Sequence, residues 1–514
     1  MLERAPRTMC ARLKLPEFLR DWVPCPYRFF DYHAFGMVPA LGAGRAPECL
    51  AGVGRGSRHS TGIDRAISAL GMGLFTLSVG YAINLTNGLY DGRALLWLTI
   101  SLLFCIAAVA LQNSRKAESL SQHVLALALA VGIVVEMLLL MARRWTEPWP
   151  SAAIVGMSLI GLLQLFDLRR LRIPLILITS ALFFYAGVVV INLVNDPGVD
   201  VYTWQQHTSV ALMDGRNPYE LRLATNRWGT RFYAPGVVDQ NGNLTCAFPY
   251  PPLSLLMVLP GFLLGGDIRY AQLAAIAISA VLMAMARPGS AGRIGALVGV
   301  LFLLTPRVFY LLWTGWTEPL VVLNFSLVMF CACRWRKGLP WALGLFFATK
   351  QYTVLALPLL PLLVQGPERW KELRAIVMKA GIVVAVINLP FLLWNVHEFT
   401  RAVLLLQVVP PFRTDALSYL VWIYSWTGTK PPMWIPSLPV TLAIALSLWR
   451  VPRSPAGFAG ALTLVTALCF AFNKQAFCNY YYFTIATACW SIAATTLPLQ
   501  LERPLVATSS NHTR

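Results

Sequence analysis

PLILITSALFFYAGVVVINL, residues 174–193, runs for twenty positions without a charge. As a helix it would be roughly 30 Å long, about the thickness of a bilayer's hydrocarbon core. It delivers the chain into its one long polar interval, Asp200 to Pro252, which opens DVYTWQQHTSVALMDGRNPYE (200–220). That interval closes with FPYPPL (248–253), and a second apolar run, LSLLMVLPGFLL (253–264), takes the chain away. A polar interval with acids, a histidine, aromatics and Pro/Gly turn signals between two such runs reads as a structured loop on a membrane domain.

The rest of the chain agrees. Of 514 residues, 57% are hydrophobic and 13% charged, too few charges to cover a soluble surface of this size. Mean hydropathy is +0.60. Seventeen Trp and 34 Pro suit interfaces and interrupted membrane helices. The net charge of +19 comes from short Lys/Arg clusters between apolar runs. That arrangement fits positive-inside loops facing an anionic leaflet rather than a nucleic-acid surface. The expected fold is an all-α polytopic transmembrane helix bundle. The ten cysteines match no zinc spacing, so neither a metal cluster nor a disulfide framework is expected.

Residues 1–65 are basic and rich in Arg, Gly and Pro, with no apolar h-region after the basic start; they read as a cytoplasmic segment. Spans follow near 66–86, 93–112, 122–141, 150–166 and 174–194. RGSRHSTGIDR before the first, NSRKAESLSQH after the second and FDLRRLR after the fourth are the cytoplasmic linkers. ARRWTEPWPS, on the other side, carries Arg143 and Arg144 against the trend. This parity places the loop 195–252 on the extracytoplasmic face, with a short interfacial helix over Val201 to Asp214 that GRNP ends. Later apolar runs are short or split by Pro, so roughly eleven to fifteen membrane elements are expected. Between CACRWRKG and GPERWKELR lies one long element or two short ones, which leaves the parity of the second half open. The domain extends to about residue 500, with 501–514 as a tail.

Ionisable residues at membrane depth are costly and tend to face a cavity or a partner. Here they are Glu136, Asp267, Arg269, Arg307, Glu318, Lys350, Arg413, Asp415 and Lys474; for those near span ends, snorkelling is the plainer account. Five local patterns accompany them: DVY at Asp200 with GRNPY (215–219); FPYPPL; GWTEPL (315–320); ATKQY (348–352); and the pair PPFRTDALS (410–418) with NKQAFCNYYY (473–482). In these the chain resembles the GT-C superfamily of integral membrane glycosyltransferases. The branch it looks most like is the mycobacterial-type polyprenol-phosphate-mannose-dependent α-mannosyltransferases, and the likeness covers about residues 66 to 500.

The resemblance implies a donor sugar, mannose by branch, on a polyprenyl phosphate, and a lipid-linked or glycan hydroxyl as acceptor, with no cofactor. It implies an enzyme of the plasma (inner) membrane working at the extracytoplasmic side. It puts a general base on Asp200, in keeping with the need to remove a hydroxyl proton during attack. Inversion then needs no second carboxylate nucleophile. The donor phosphate calls for a cation, assigned to Lys350 or Arg413 and then Lys474. Tyr202, His207, Tyr219, Tyr250, Glu318, Gln351, Asp415 and Tyr480 complete the candidate substrate site. Several have a plainer reading: Asp200 as a helix cap, His207 as a polar contact, Tyr202 and Tyr219 as packing, Asp415 as a restraint on Arg413. The first large loop has no DxD pair, which argues against a metal requirement. A secondary transporter or lipid flippase using Glu136, Glu318 and Lys350 is the alternative, though no paired repeat is visible. An oligosaccharide ligase is a third, but its large loop usually comes later in the chain.

Overall fold

The computed structural model describes residues 62–112, 122–142, 148–166, 168–224, 233, 237–245, 248–405, 407, 411–432 and 434–495. The expectations for the N-terminal segment up to residue 61, for Arg143 and Arg144 and for the C-terminal tail fall outside them. The described residues form helices joined by turns, with three isolated β-bridges and no strand among them.

Five apolar helices come first: α1 (Gly62–Thr86), α2 (Gly92–Leu111), α3 (Gln122–Met141), α4 (Pro148–Leu162) and α5 (Arg172–Leu193). Each is long and apolar enough to cross a membrane, α4 with the 3-10 turn that extends it to Leu165, as is α13 (Arg369–Trp394). Two further pairs qualify only if each bent pair counts as one span: α7 (Pro252–Gly265) with α8 (Arg269–Ala284), bent by 112°, and α9 (Gly292–Leu303) with α10 (Val308–Thr314), bent by 55°. Among the described residues that makes six candidate spans, or up to eight, by length and composition. The apolar runs outnumber the full-length helices because turn chemistry divides them. Gly266 stands at φ 73° at the first bend, and Pro306 and Arg307, the latter at φ 70°, form the second.

The stretch between the two basic linkers is two short elements. Helix α11 (Glu318–Arg334) leads to α12 (Leu339–Phe347), and the chain returns as a 3-10 helix, Gln351–Leu363, carrying Pro358 and Pro361. Arg336 closes this hairpin at its base by donating to the Leu363 carbonyl (2.6 Å) and to Glu372 (2.7 Å). Lys350 sits at its tip, in extended backbone. After α13 come α14 (Val396–Thr400), α15 (Tyr419–Thr427), α16 (Ser437–Arg450), α17 (Pro455–Ala471) and α18 (Cys478–Ala493). The core is where α9, α11, α17 and α18 meet; almost every α18 side chain is buried, including Trp490, whose indole N–H donates to Ser326 (2.8 Å).

The expected interfacial helix is α6 (Asp200–Met213), which ends where Gly215 takes φ 71°. The bundle holds it tightly. Gln205 from α6 and Gln272 from α8 both donate to the Gly315 carbonyl, at 2.9 and 3.0 Å. Beneath α6, the fully buried Arg269 forks onto Asp267 and reaches the carbonyls of Val194 (2.7 Å) and Trp313 (3.3 Å). These bonds satisfy the guanidinium inside the protein, as burial demands.

The turn between α1 and α2 is the other fixed point. Gly88 stands at φ 76°, and a Cβ there would lie 2.2 Å from the Cys478 nitrogen and 2.8 Å from the Phe477 carbonyl carbon. Tyr90 N–H donates to the Asp415 carbonyl (2.9 Å), joining the turn to the segment 413–418. Gly88→Ala combines a left-handed backbone with a backbone clash. It is expected to cost about 3 kcal/mol, from roughly 1–2 for the conformation and 1–3 for overpacking. Thermal unfolding of the detergent-solubilised chain checks this; an unchanged midpoint would contradict it.

Candidate active site

One end of the bundle holds a cavity of about 550 Å³, a size typical of small-molecule sites. Its wall is assembled from distant pieces of chain. Asp200 comes from the first turn of α6, Tyr250 from the lead into α7, Trp316 from the turn before α11 and Lys350 from the hairpin tip. Arg413 precedes α15, and Lys474 and Tyr480 come from the junction of α17 and α18.

Asp200 is the acid on this wall. Its Oδ1 accepts from the Val201 N–H at 2.7 Å, and its Oδ2 accepts from the Tyr233 hydroxyl at 2.7 Å. Desolvation raises its pKa above the ordinary carboxylate value of 3.8; the Tyr233 hydroxyl, the Val201 N–H and the charge of Arg413 pull the other way. The same desolvation, followed by the charge of Asp200, keeps the Tyr233 phenol protonated.

The cations are held differently. Lys350 Nζ lies 2.5 Å from Glu318 Oε1 and 2.7 Å from Thr317 Oγ1. It is ringed by Tyr250, Tyr352 and Tyr480, with ring centroids 5.0, 5.5 and 5.6 Å away. Glu318 lies behind the wall and is fully buried. Arg413 is more open. Its Nε and Nη2 fork onto Asp415 at 2.8 and 2.7 Å, and its guanidinium stacks 4.7 Å from the centroid of Phe477. Its backbone N–H donates to the Lys474 carbonyl (3.1 Å), and Leu417 N–H donates to the Ala476 carbonyl (3.0 Å). RTDALS and NKQAFCNYYY, apart in sequence, therefore run side by side. Burial lowers the pKa of the Lys474 ammonium.

Of the residues singled out in the sequence, Asp200, Tyr250, Lys350, Gln351, Arg413, Lys474 and Tyr480 meet on this wall. Gln351 is committed to the frame: its amide donates to the carbonyls of Pro249 (2.7 Å) and Val403 (3.0 Å). Glu318 and Asp415 stand one layer back as the partners of Lys350 and Arg413.

Three others do not face the cavity. Tyr202 packs under Arg269 (4.9 Å) and donates to Asp267 (3.2 Å); two residues on from Asp200, it lies on the opposite face of α6. His207 is exposed, with Nδ1 2.9 Å from the Thr203 carbonyl. It lies about 10 Å further along the helix axis, past the cavity. Tyr219 is fully buried among Phe248, Phe391 and Phe399, and its hydroxyl donates to the Tyr250 carbonyl (2.9 Å). Tyr202 and Tyr219 shape the site from behind, and His207 lies outside it. Glu136 is not on the cavity wall and is fully buried in α3.

Tyr233, Trp204 and Trp316 also line the cavity, and none of them is among the residues singled out from the sequence. Tyr233 lies in a stretch of sequence where no periodicity marks a facing residue. The two tryptophans carry a signal, since Trp316 lies within GWTEPL and Trp204 stands two residues after DVY. The arrangement can accept a proton at Asp200, hold an anion at the Lys and Arg side, and stack a ring against its aromatic walls. No protein-family model, curated protein or solved structure matches this chain.

Proposed function

We propose that this chain is an integral membrane glycosyltransferase, moving a sugar, mannose by its sequence resemblance, from a polyprenyl-phosphate donor to a hydroxyl of a lipid-linked or glycan acceptor. The observation that carries this reading is one cavity with a carboxylate, Asp200, and three cationic side chains, Lys350, Arg413 and Lys474, on its wall. A hydroxyl nucleophile needs the first and a phosphate leaving group needs the second.

In the proposed step the acceptor oxygen attacks the anomeric carbon, and its proton passes to Asp200. The bond from that carbon to the phosphate oxygen breaks, and the electron pair stays on the polyprenyl phosphate, which gains one negative charge. Attack opposite the leaving group inverts the anomeric centre. The proton then leaves Asp200 for water.

Two further features support the reading. Along the 3-10 helix, Gln351, Val354 and Leu357 are three apart and so fall in line. Gln351 is at the cavity, and Val354 and Leu357 are exposed, an apolar strip suited to an isoprenoid chain. Helix α13 is likewise exposed along most of its length, with Met378, Val386 and Leu393 outward, as suits a surface in lipid. Charge supports the proposed orientation. Arg172, Arg287 and Arg293 bond the Gly289, Ala494 and Leu165 carbonyls at the end of the bundle away from the cavity. By the positive-inside rule this supports a cytoplasmic assignment for that end and an extracytoplasmic one for the cavity, and the plasma membrane is what the sequence resemblance implies.

The test is sugar transfer by the purified full chain in proteoliposomes, supplied with labelled polyprenyl-phosphate mannose, glucose and galactose and a bacterial lipid extract as acceptor. Label is expected on a lipid or glycan product with inverted anomeric configuration. Absence of transfer from every donor would overturn the proposal.

A further inference from the structure

We propose that Tyr233 is a positioning residue for Asp200, its hydroxyl aiming the carboxylate into the cavity and keeping it ionised as the base. This rests on the reading of Asp200 as the base of sugar transfer. The geometry is that of a carboxylate gripped at both ends. Val201 N–H holds Oδ1 and the Tyr233 hydroxyl holds Oδ2, each at 2.7 Å. Two such contacts fix the plane of the carboxylate. Each oxygen of an ionised carboxylate accepts more than one hydrogen bond, so Oδ2 still has capacity for an acceptor hydroxyl.

The need for Tyr233 comes from the partial burial of Asp200. A desolvated carboxylic acid holds its proton, and an acid that holds its proton is no base. The Val201 N–H is fixed by the helix itself, whereas the Tyr233 hydroxyl is brought in from a separate stretch of chain. The other titratable or charged groups facing Asp200 are Arg413, which favours its ionised form, and the neutral phenols of Tyr250 and Tyr480; Lys350 and Lys474 share the cavity wall. The Tyr233 ring lies beside Trp204, centroids 6.4 Å apart. Burial and the charge of Asp200 keep its phenol a donor throughout the working pH range.

The test compares the wild-type full chain, Tyr233→Phe and a chain with 3,5-difluorotyrosine at position 233, all in proteoliposomes. Two quantities are read against pH: kcat for sugar transfer, and the labelling of Asp200 by a hydrophobic carbodiimide, followed by mass spectrometry. A neutral hydrogen bond to a charged acceptor corresponds to about one to two pH units. In Tyr233→Phe the acid limb of kcat and the labelling midpoint are both expected to move up by about that much, with donor KM unchanged. Difluorotyrosine, a stronger donor of nearly the same shape, is expected to move both down. A residue that merely supported the fold would lower the yield or the unfolding temperature and leave both pH values in place. Unmoved midpoints in both variants overturn the inference. Its failure and that of the transferase reading separate cleanly. If the wild type transfers no sugar, the role as base falls, while the labelling midpoints still report whether Tyr233 tunes Asp200.

Discussion

Asp200→Asn is expected to lower kcat for sugar transfer by roughly 10²–10⁴-fold, the usual contribution of a general base, with donor KM close to that of the wild type. The substitution keeps the shape of the side chain and its contacts. The amide oxygen replaces Oδ1 as acceptor for the Val201 N–H, and the amide NH₂ donates to the Tyr233 hydroxyl, which becomes an acceptor. The fold should therefore survive and the loss should be chemical, because an amide takes no proton from the attacking hydroxyl. The pH dependence follows from the same group. Only the ionised carboxylate is a base, and burial raises its pKa above 3.8. Wild-type kcat should thus fall with falling pH along a limb above the ordinary carboxylate range, and this limb should vanish from the residual activity of the Asn variant. Steady-state kinetics across pH, with circular dichroism to check folding, decides the matter. Transfer at the wild-type rate in the Asn variant would remove Asp200 from the mechanism.

Much of this site was legible as chemistry but not as geometry. The polar interval after residue 193 marked the loop, and its first helix was expected within one residue of its observed limits, because the GRNP break is a strong local signal. The charged residues near apolar ends led to Lys350, Arg413 and Lys474, which do share a wall. What hydropathy could not convey was direction. An apolar run reads alike whether it crosses, bends or turns back, so the hairpin of α12 and the 3-10 helix was not distinguishable from one long span. Nor could spacing say which face of α6 meets the cavity. Tyr202 and His207 follow Asp200 closely in sequence, but the helix carries one to the opposite face and the other past the cavity. Tyr233 shows the converse: a residue set by tertiary contact, in a stretch with no repeating pattern to betray it.

The second large effect concerns the pair beneath the site. Lys350→Met is expected to destabilise the protein by roughly 3–5 kcal/mol, the usual cost of removing one partner from a buried ion pair. It strands Glu318, which is fully buried and whose Oε2 already has no hydrogen-bond partner. Glu318→Gln should cost less. The ammonium it leaves behind keeps the Thr317 hydroxyl and the faces of three tyrosines, and cation–π contacts offset part of the lost charge, about 0.5–2 kcal/mol each. The double variant Lys350→Met, Glu318→Leu should recover most of the loss, since an apolar pair of similar volume needs no neutralising partner. Thermal and denaturant unfolding in detergent of the wild type, Lys350→Met, Glu318→Leu and the double gives the cycle, with Glu318→Gln measured beside them; a cost for Glu318→Gln equal to that for Lys350→Met, or simple additivity in the double, would contradict it. The same cycle bears on donor binding. With Glu318 in place, a phosphate in the cavity meets Lys350 as one half of a neutral pair. Glu318→Gln should therefore lower the donor KM by exposing a full positive charge. It should also lower kcat, because the departing polyprenyl phosphate carries one more negative charge than the donor and is released more slowly. A donor KM unchanged in that variant would place the phosphate with Arg413 and Lys474 instead, and leave Lys350 as a structural tie beneath them.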